Sequence, residues 1–323
     1  MKSVKILSRI LITGAMCAGP VVAQPQTDKL SETFTGKPVP KYSRGVLLAR
    51  DPAESCVYLV RPGQQSQRIQ LKLPEDGTYY VRDATLSPKG TLVTVGTVKS
   101  ATNTSGALVI VVPNTGETKV VLTDHFGTAL VAVTDNSEIV VAGREYDSTF
   151  RDIPGASILR IYTEDGVLVK KLLPREMVLG EGKILSITES SLAYGNGNVA
   201  LVNPSTNNIV FLDHSWQIKP VFKLPTSVAE LRISNCAIQD SSLYCSLAEL
   251  RGEGPPRKPA SSVVAMRIGD QRLFDLSKVL QLDDSDIPVF AGIASGKIVI
   301  RKQAHGSLVR YDVPDPGSGN EIK

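Results

Sequence analysis

Three observations on the sequence predict an all-β fold, a β-propeller of six four-stranded antiparallel blades. The first is composition. Short runs rich in Val, Ile, Leu and Thr ("TLVTVGTV", "ALVIVV", "TKVVLT", "SILRIY", "KIVIRK") are separated by Gly, Pro, Asn and Asp, with almost no helical periodicity. The second is a tight turn that recurs at Gly63, Gly116, Gly166, Ser215, Gly269 and Gly317, at intervals of 48 to 54 residues. The third is a strand-ending proline, Pro74, Pro174 or Pro225, which follows its turn by 8 to 11 residues. A repeat of three or four short strands cannot bury both of its faces alone, so it must stack on its neighbours; radial stacking gives a propeller. The proline then limits pairing along each exposed outer edge. Six turns give six blades, and the ambiguous chain ends leave room for a seventh. A two-sheet sandwich accounts poorly for a phased repeat.

The elements follow in chain order. Residues 1–23 read as a secretory signal: Lys2, Lys5 and Arg9 precede an apolar run, and Val21 and Ala23 place small residues before a cleavage site near Ala23. The run from Ile10 to Ala23 is too short, and too broken by Gly14, Gly19 and Pro20, for a transmembrane anchor. Cys17 raises a lipoprotein reading, but Met16 stands before it where a small residue is expected. The expected location is therefore periplasmic or secreted. Residues 24–44 form an N-terminal segment expected to close the last blade, whose own repeat shows three strands, with "SETFTGKPVPKYSRG" (31–45) the stretch expected to supply the missing strand. The propeller is assigned to 45–314, and 315–323 to a flexible tail.

The whole chain carries 36 Lys and Arg against 32 Asp and Glu, and three of the basic residues lie in the signal. The exported chain is thus near neutral, which argues against a nucleic-acid partner. Removal of the signal leaves Cys56, Cys236 and Cys245. Cys236 and Cys245 flank a two-residue turn at Asp240 and Ser241, which sets them opposite each other at a non-hydrogen-bonded position with Cα atoms about 4.5 Å apart. That spacing suits a disulfide. No further Cys or His lies near for a metal, and no Cys-x-x-Cys spacing marks a redox centre, so a structural staple is expected, with Cys56 the odd thiol.

The segment "ATLSPKGTLVTVG" (84–96) resembles the Ser-Pro-Asp-Gly strand–turn–strand signature of TolB-like and related bacterial β-propellers, with Lys89 in place of the acidic residue. The resemblance covers one repeat, implies the fold and carries over no catalytic residue.

In a propeller, the loops between second and third strands (B–C) share one face with the crossings between blades (D–A). Three long B–C connections are expected, at 99–106, 144–156 and 251–262, and they make this face the candidate functional surface. Its candidate ligand-binding residues are Arg144, Tyr146, Asp147, Phe150 and Arg151 in one loop, Arg257 and Lys258 in another, and His125 and His305 on the same side. An unknown protein, peptide or glycan is the partner such residues suit. Solvated loop residues with no shared ligand are the plainer account.

No Gly-x-Ser-x-Gly elbow, HExxH or phosphate loop occurs, and no cofactor is expected. His214 falls on the opposite face, so no metal site is expected, although Asp124, His125 and His305 share a side. The run Asp283, Asp284, Asp286 lacks the glycine and closing glutamate of an EF-hand. Asp147 and Asp152 are the carboxylates of the long loop. The leading function is an exported binding or interaction module working through its B–C loops. The alternatives are a propeller hydrolase or lyase acting on a carbohydrate or ester at the central mouth, and a subunit of an envelope complex.

Overall fold

The computed structural model describes residues 26–28 and 39–322, apart from short internal stretches of which 180–189, 224–230, 252–257 and 283–287 are the longest. The signal segment and Cys17 lie outside the described residues. The chain forms six antiparallel sheets arranged as a propeller. Blade 1 runs from inner strand A to outer strand D through Val39–Ser43, Val46–Asp51, Cys56–Val60 and Gln67–Gln70. Blade 2 contains Thr78–Leu86, Leu92–Lys99, Thr104–Val111 and Thr118–Thr123. Blade 3 contains Phe126–Val133, Ile139–Glu145, Ser157–Tyr162 and Leu168–Pro174. Ser191–Gly195, Asn198–Asn203, Asn208–Leu212 and Phe222–Lys223 form blade 4. Blade 5 is built on Leu231–Gln239, Ser242–Arg251, Lys258–Arg267 and Leu273–Asp275. Blade 6 holds Pro288–Ala294, Lys297–Lys302 and Ser307–Asp312, with Gln26–Asp28 as its fourth strand. A short helix, Arg175–Leu179, follows blade 3.

The recurring turns at Gly116, Gly166, Ser215 and Gly269 sit between strands C and D; Gly63, Pro74 and Pro225 lie outside the described residues. In blades 2 to 5 each turn holds one residue in the left-handed region: Gly116, Gly166, Trp216 and Gln271. Their amides close the turn onto Val112, Thr163, Asp213 and Arg267 at 2.8–2.9 Å. Only Gly116 and Gly166 take this conformation without side-chain strain. In blade 4, Asp213 supports Trp216 by accepting from the Ser215 and Gln217 amides.

Four expectations need correction. The last blade is completed by Gln26–Asp28, paired with Leu308–Arg310, not by 31–45. Val39–Ser43, within that expected segment, is instead the inner strand of blade 1, so the propeller starts before residue 45. Gly317 is no C–D turn; residues 316–318 form a 3-10 turn, and Asn320–Ile322 adds a fifth strand to blade 5 beside Leu273–Asp275 where a flexible tail was expected. Half of the expected long loop at 99–106 is strand, because the Lys99–Thr104 pair closes blade 2's B–C hairpin. Its Ser and Thr residues satisfy the ladder as well as they would a loop.

The core lies between blades. Blades 1 and 2 meet through Leu48, Leu59, Tyr79 and Leu92, and blades 3 and 4 through Leu159, Ile161, Leu201 and Leu212. At about 25 cal/mol per Å² of apolar surface removed from water, such seams dominate the stability of the ring. Among the described residues the seam between blades 6 and 1 is the smallest: Tyr42 and Leu47 against Ala291, Ala294, Val299 and Leu308. There Gly292 adopts φ +138°, and a Cβ on it would stand 2.7 Å from that of Tyr42. Glycine is required on both counts.

Candidate functional site

Each inner strand starts at the D–A/B–C face and ends at its A–B turn, so the six together wall a central channel. The channel widens into two cavities. The one at the A–B end measures about 490 Å³ and the one toward the loop-rich face about 380 Å³. Lys41, Tyr42, Leu192, Cys236 and Ala237 border both and form the waist.

The A–B end is laced by polar bonds from blade to blade. The Arg44 side chain donates from Nε to the Leu86 carbonyl (3.2 Å) and from Nη2 to the carbonyls of Val133 (3.2 Å) and Thr134 (3.3 Å). Its Nη2 also pairs with Asp135 Oδ1 at 3.0 Å. Tyr194 donates to the other oxygen of Asp135 at 3.1 Å, and Asn196 donates to the Asp240 carbonyl at 2.9 Å. Ser43 and Thr85 share a buried hydroxyl bond of 2.9 Å. Polar groups at this mouth are spent on one another.

The loop-side chamber is built differently. The inner-strand ladder slips register in blades 2, 3, 5 and 6, next to Arg82, Ala129, Asn235–Cys236 and Ala291 respectively. All of these bulge residues line the chamber. A bulge leaves a residue unpaired and turns its side chain out of the regular alternation. Asp83, beside the blade 2 bulge, is buried, and its carboxylate accepts from Lys41 Nζ (3.0 and 3.1 Å), the Val131 amide (2.9 Å) and its neighbour Ala84 (2.9 Å). Arg50 and Arg82 also border the chamber. Neither has a side-chain hydrogen bond or ion pair among the described residues, and Arg50 Nε is buried without a partner.

The disulfide occupies the waist. Cys236 and Cys245 are bonded with Cα atoms 4.2 Å apart, as expected, and the Cys236 amide donates to Ser191 Oγ of blade 4 at 2.8 Å. The expected register holds as far as Ala237 with Tyr244, beyond which the bulge displaces Cys236 toward the channel. Asn235 takes φ +49° there. Cys56 is a free, buried thiol pushed up in pKa by burial, which suppresses the reactive thiolate.

Several expected site residues gather on the blade 3 loop. The Tyr146 ring stacks on Phe150, with centroids 5.3 Å apart, and meets His125 edge-on at 6.0 Å. The Tyr146 amide donates to the His125 carbonyl at 2.9 Å, which joins the B–C loop to the D–A crossing. Asp147 organises the tip: its Oδ1 accepts from the Thr149 amide (2.8 Å), the Thr149 hydroxyl (2.7 Å) and the Arg151 amide (3.0 Å). Those bonds, the Thr149 hydroxyl foremost, hold the carboxyl below its ordinary range. Asp152 sits between Arg144 (3.6 Å) and Arg175 (3.4 Å). The following helix ties on through the Arg175 amide to the Ala156 carbonyl (3.0 Å) and through Glu176 Oε1, which accepts from Gly155 (2.8 Å). On this frame Phe150 is 61% exposed, with Ile153 and Met177 also exposed. Lys258 opens the third strand of blade 5; Arg257, His305 and the run Asp283, Asp284, Asp286 lie outside the described residues. Among the described residues no three His, Cys, Asp or Glu gather as metal donors, and no helix is long and apolar enough to cross a membrane.

Sequence reasoning passed over Lys41, Arg50, Arg82 and Arg44. A bulge leaves no mark in a period-two pattern, and each of these residues reads as one more solvent-facing charge of a strand or turn.

Comparisons with known proteins agree on the architecture. No protein-family model matches the chain, nor does any curated protein. Among solved structures it is similar to virginiamycin B lyase from Staphylococcus aureus, at 13% identity over 90% of this chain and 99% of that one, with a TM-score of 0.51. A Bacteroides fragilis protein described as exported aligns at 12% identity over 86% and 83% of the two chains, with a TM-score of 0.53. The family 74 xyloglucanase of Xanthomonas campestris aligns at 15% identity over 88% of this chain and 44% of its own, with a TM-score of 0.58. At such identities the likeness shows the fold alone. The resemblance to TolB-like propellers accordingly stands at the level of fold.

Proposed function

We propose that this protein is an exported β-propeller that binds a protein or peptide through the blade 3 B–C loop and its surroundings. The observation that carries the reading is the His125–Tyr146–Phe150 stack, which holds an exposed aromatic on a pinned loop. An aromatic fixed before binding loses little conformational freedom on contact. Phe150, Tyr146 and Ile153 beside Arg144 and Arg151 also have the composition of an interface hot spot. A glycan could stack on the same ring, which makes it the second ligand class to screen. Export is supported by the signal-like leader, by a disulfide, which persists in oxidising compartments, and by the likeness to a protein described as exported.

A hydrolase or lyase centred on this loop has weaker support. A general acid needs a carboxyl held protonated near neutral pH. Asp147 is held ionised by its hydrogen bonds, and Asp152 lies between two arginines.

The test is a screen of the secreted protein against peptide libraries and a glycan array, repeated with Phe150→Ala and with Leu122→Ala, an exposed outer-strand residue. Affinity for the selected ligand should fall roughly tenfold or more with Phe150→Ala and stay unchanged with Leu122→Ala. Intact affinity in Phe150→Ala would remove the loop from the binding surface.

A further inference from the structure

The loop-side chamber is chemically lopsided. Blades 1 and 2 contribute Lys41, Arg50, Arg82 and Asp83 to its wall, so three cations face one carboxylate. Asp83 is already committed to Lys41 and to two backbone amides, which leaves the guanidinium groups of Arg50 and Arg82 uncompensated. Blades 3, 4 and 6 line the opposite arc with Ala129, Leu130, Leu192 and Ala291 beside Ser190 and Ser191, and blade 5 adds the Asn235 amide. Such an arrangement fits a molecule with a charged end and a less polar body. The volume, about 380 Å³, lies within the range of small-molecule sites.

Two features make the chamber a built site. The buried Nε of Arg50 has no partner among the described residues. Buried donors are almost always satisfied, so an orphan beside a cavity points to a missing acceptor. The second feature is the bulges. Four of the six inner strands depart from regular pairing at the level of this chamber, and in blade 2 the residue so re-aimed is Arg82. In a regular ladder alternate side chains face the two neighbouring blades, whereas at each bulge the unpaired residue borders the channel. A narrow cavity with walls of low polarity also focuses the field of its cations and raises the local concentration of anions.

We infer that the loop-side chamber binds a small organic anion, whose carboxylate or phosphate group is held by Arg50 and Arg82, with Lys41 beside them. Guanidinium groups match both oxyanions through paired N–H donors, and the shared chemistry is that of a planar or tetrahedral oxyanion. The Ala–Leu arc covers the uncharged part of the ligand. The site is separate from the Phe150 loop: it draws on inner strands and, through Arg50, on the second strand of blade 1, where the loop draws on the B–C connection of blade 3.

Calorimetric titration of the intact exported chain with inorganic phosphate, D-glucuronate and neutral D-glucose tests the inference and separates the two oxyanion sources. One-to-one saturable binding of phosphate or glucuronate, with glucose at least about tenfold weaker, is the expected result. Arg50→Gln and Arg82→Gln should each weaken that binding roughly tenfold or more, while Phe150→Ala leaves it unchanged. Arg82 is exposed, so Arg82→Gln should fold even if Arg50→Gln does not. Failure of both anions to bind better than glucose would overturn the site, as would full retention of binding in Arg82→Gln. Loss in Phe150→Ala would instead place the anion on the loop.

Discussion

At the A–B end of the channel, the Arg44 guanidinium reaches carbonyls of blades 2 and 3 and a carboxylate that is itself held by Tyr194 of blade 4. At the other end, Arg50 and Arg82 occupy a comparable cavity and touch no acceptor among the described residues. The same side chain serves opposite purposes. A cation whose donors meet backbone and carboxylate holds blades together; a cation left facing a cavity is available to a ligand. The disulfide at the waist, and the Lys41 pair with Asp83 beside it, belong to the first kind.

That contrast can be broken most sharply at Asp83. Asp83→Ala should destabilise the protein by about 2–4 kcal/mol in chemical denaturation, since loss of one partner strands a charge and the Val131 amide, with a discount because Lys41 keeps solvent contact. A change below about 0.5 kcal/mol would mean that the waist is not structural. Arg44→Ala should cost about 1–3 kcal/mol through its lost charged hydrogen bonds, whereas Arg82→Ala should stay within about 0.5 kcal/mol. Equal costs for the two would erase the distinction between the mouths. The double substitution Cys236→Ser with Cys245→Ser should cost at most about 2–3 kcal/mol, because the loop it closes is short.

The smallest effect concerns the loop tip. Asp147 has a depressed pKa, so its stabilising bonds are complete above the ordinary aspartate range and are lost as pH falls through the lowered folded value. NMR titration should therefore find Asp147 ionising below the value of an unperturbed aspartate, with the Thr149 and Arg151 amides shifting in step. A midpoint at or above that value would mean the turn does not hold the carboxylate.

Much of the architecture was legible because its signals are local. Gly116 and Gly166 mark turns whose left-handed backbone only glycine adopts freely, and runs such as "TLVTVG" carry enough β-branched residues to declare a strand. The disulfide was legible for the same reason, since Cys236 and Cys245 share one hairpin. Ring closure was legible only as far as the N-terminal segment, not the strand itself. Gln26–Asp28 is three polar residues with no strand pattern of its own, and what makes it a strand is the open edge of Ser307–Asp312. Arg82 was also hidden, because its direction depends on a one-residue slip between two strands. The aromatic stack fell between these cases: the loop composition nominated Tyr146, Phe150 and His125, and tertiary contact brought them together.

The most direct measurement of the central claim is a crystal structure of the exported chain grown with D-glucuronate or inorganic phosphate. The account predicts an oxyanion in the loop-side chamber within hydrogen-bonding distance of Arg50 and Arg82, with the Arg44–Asp135–Tyr194 network unchanged at the opposite mouth. An anion bound at Arg44, or an unoccupied chamber at ligand concentrations that saturate the calorimetric signal, would contradict it.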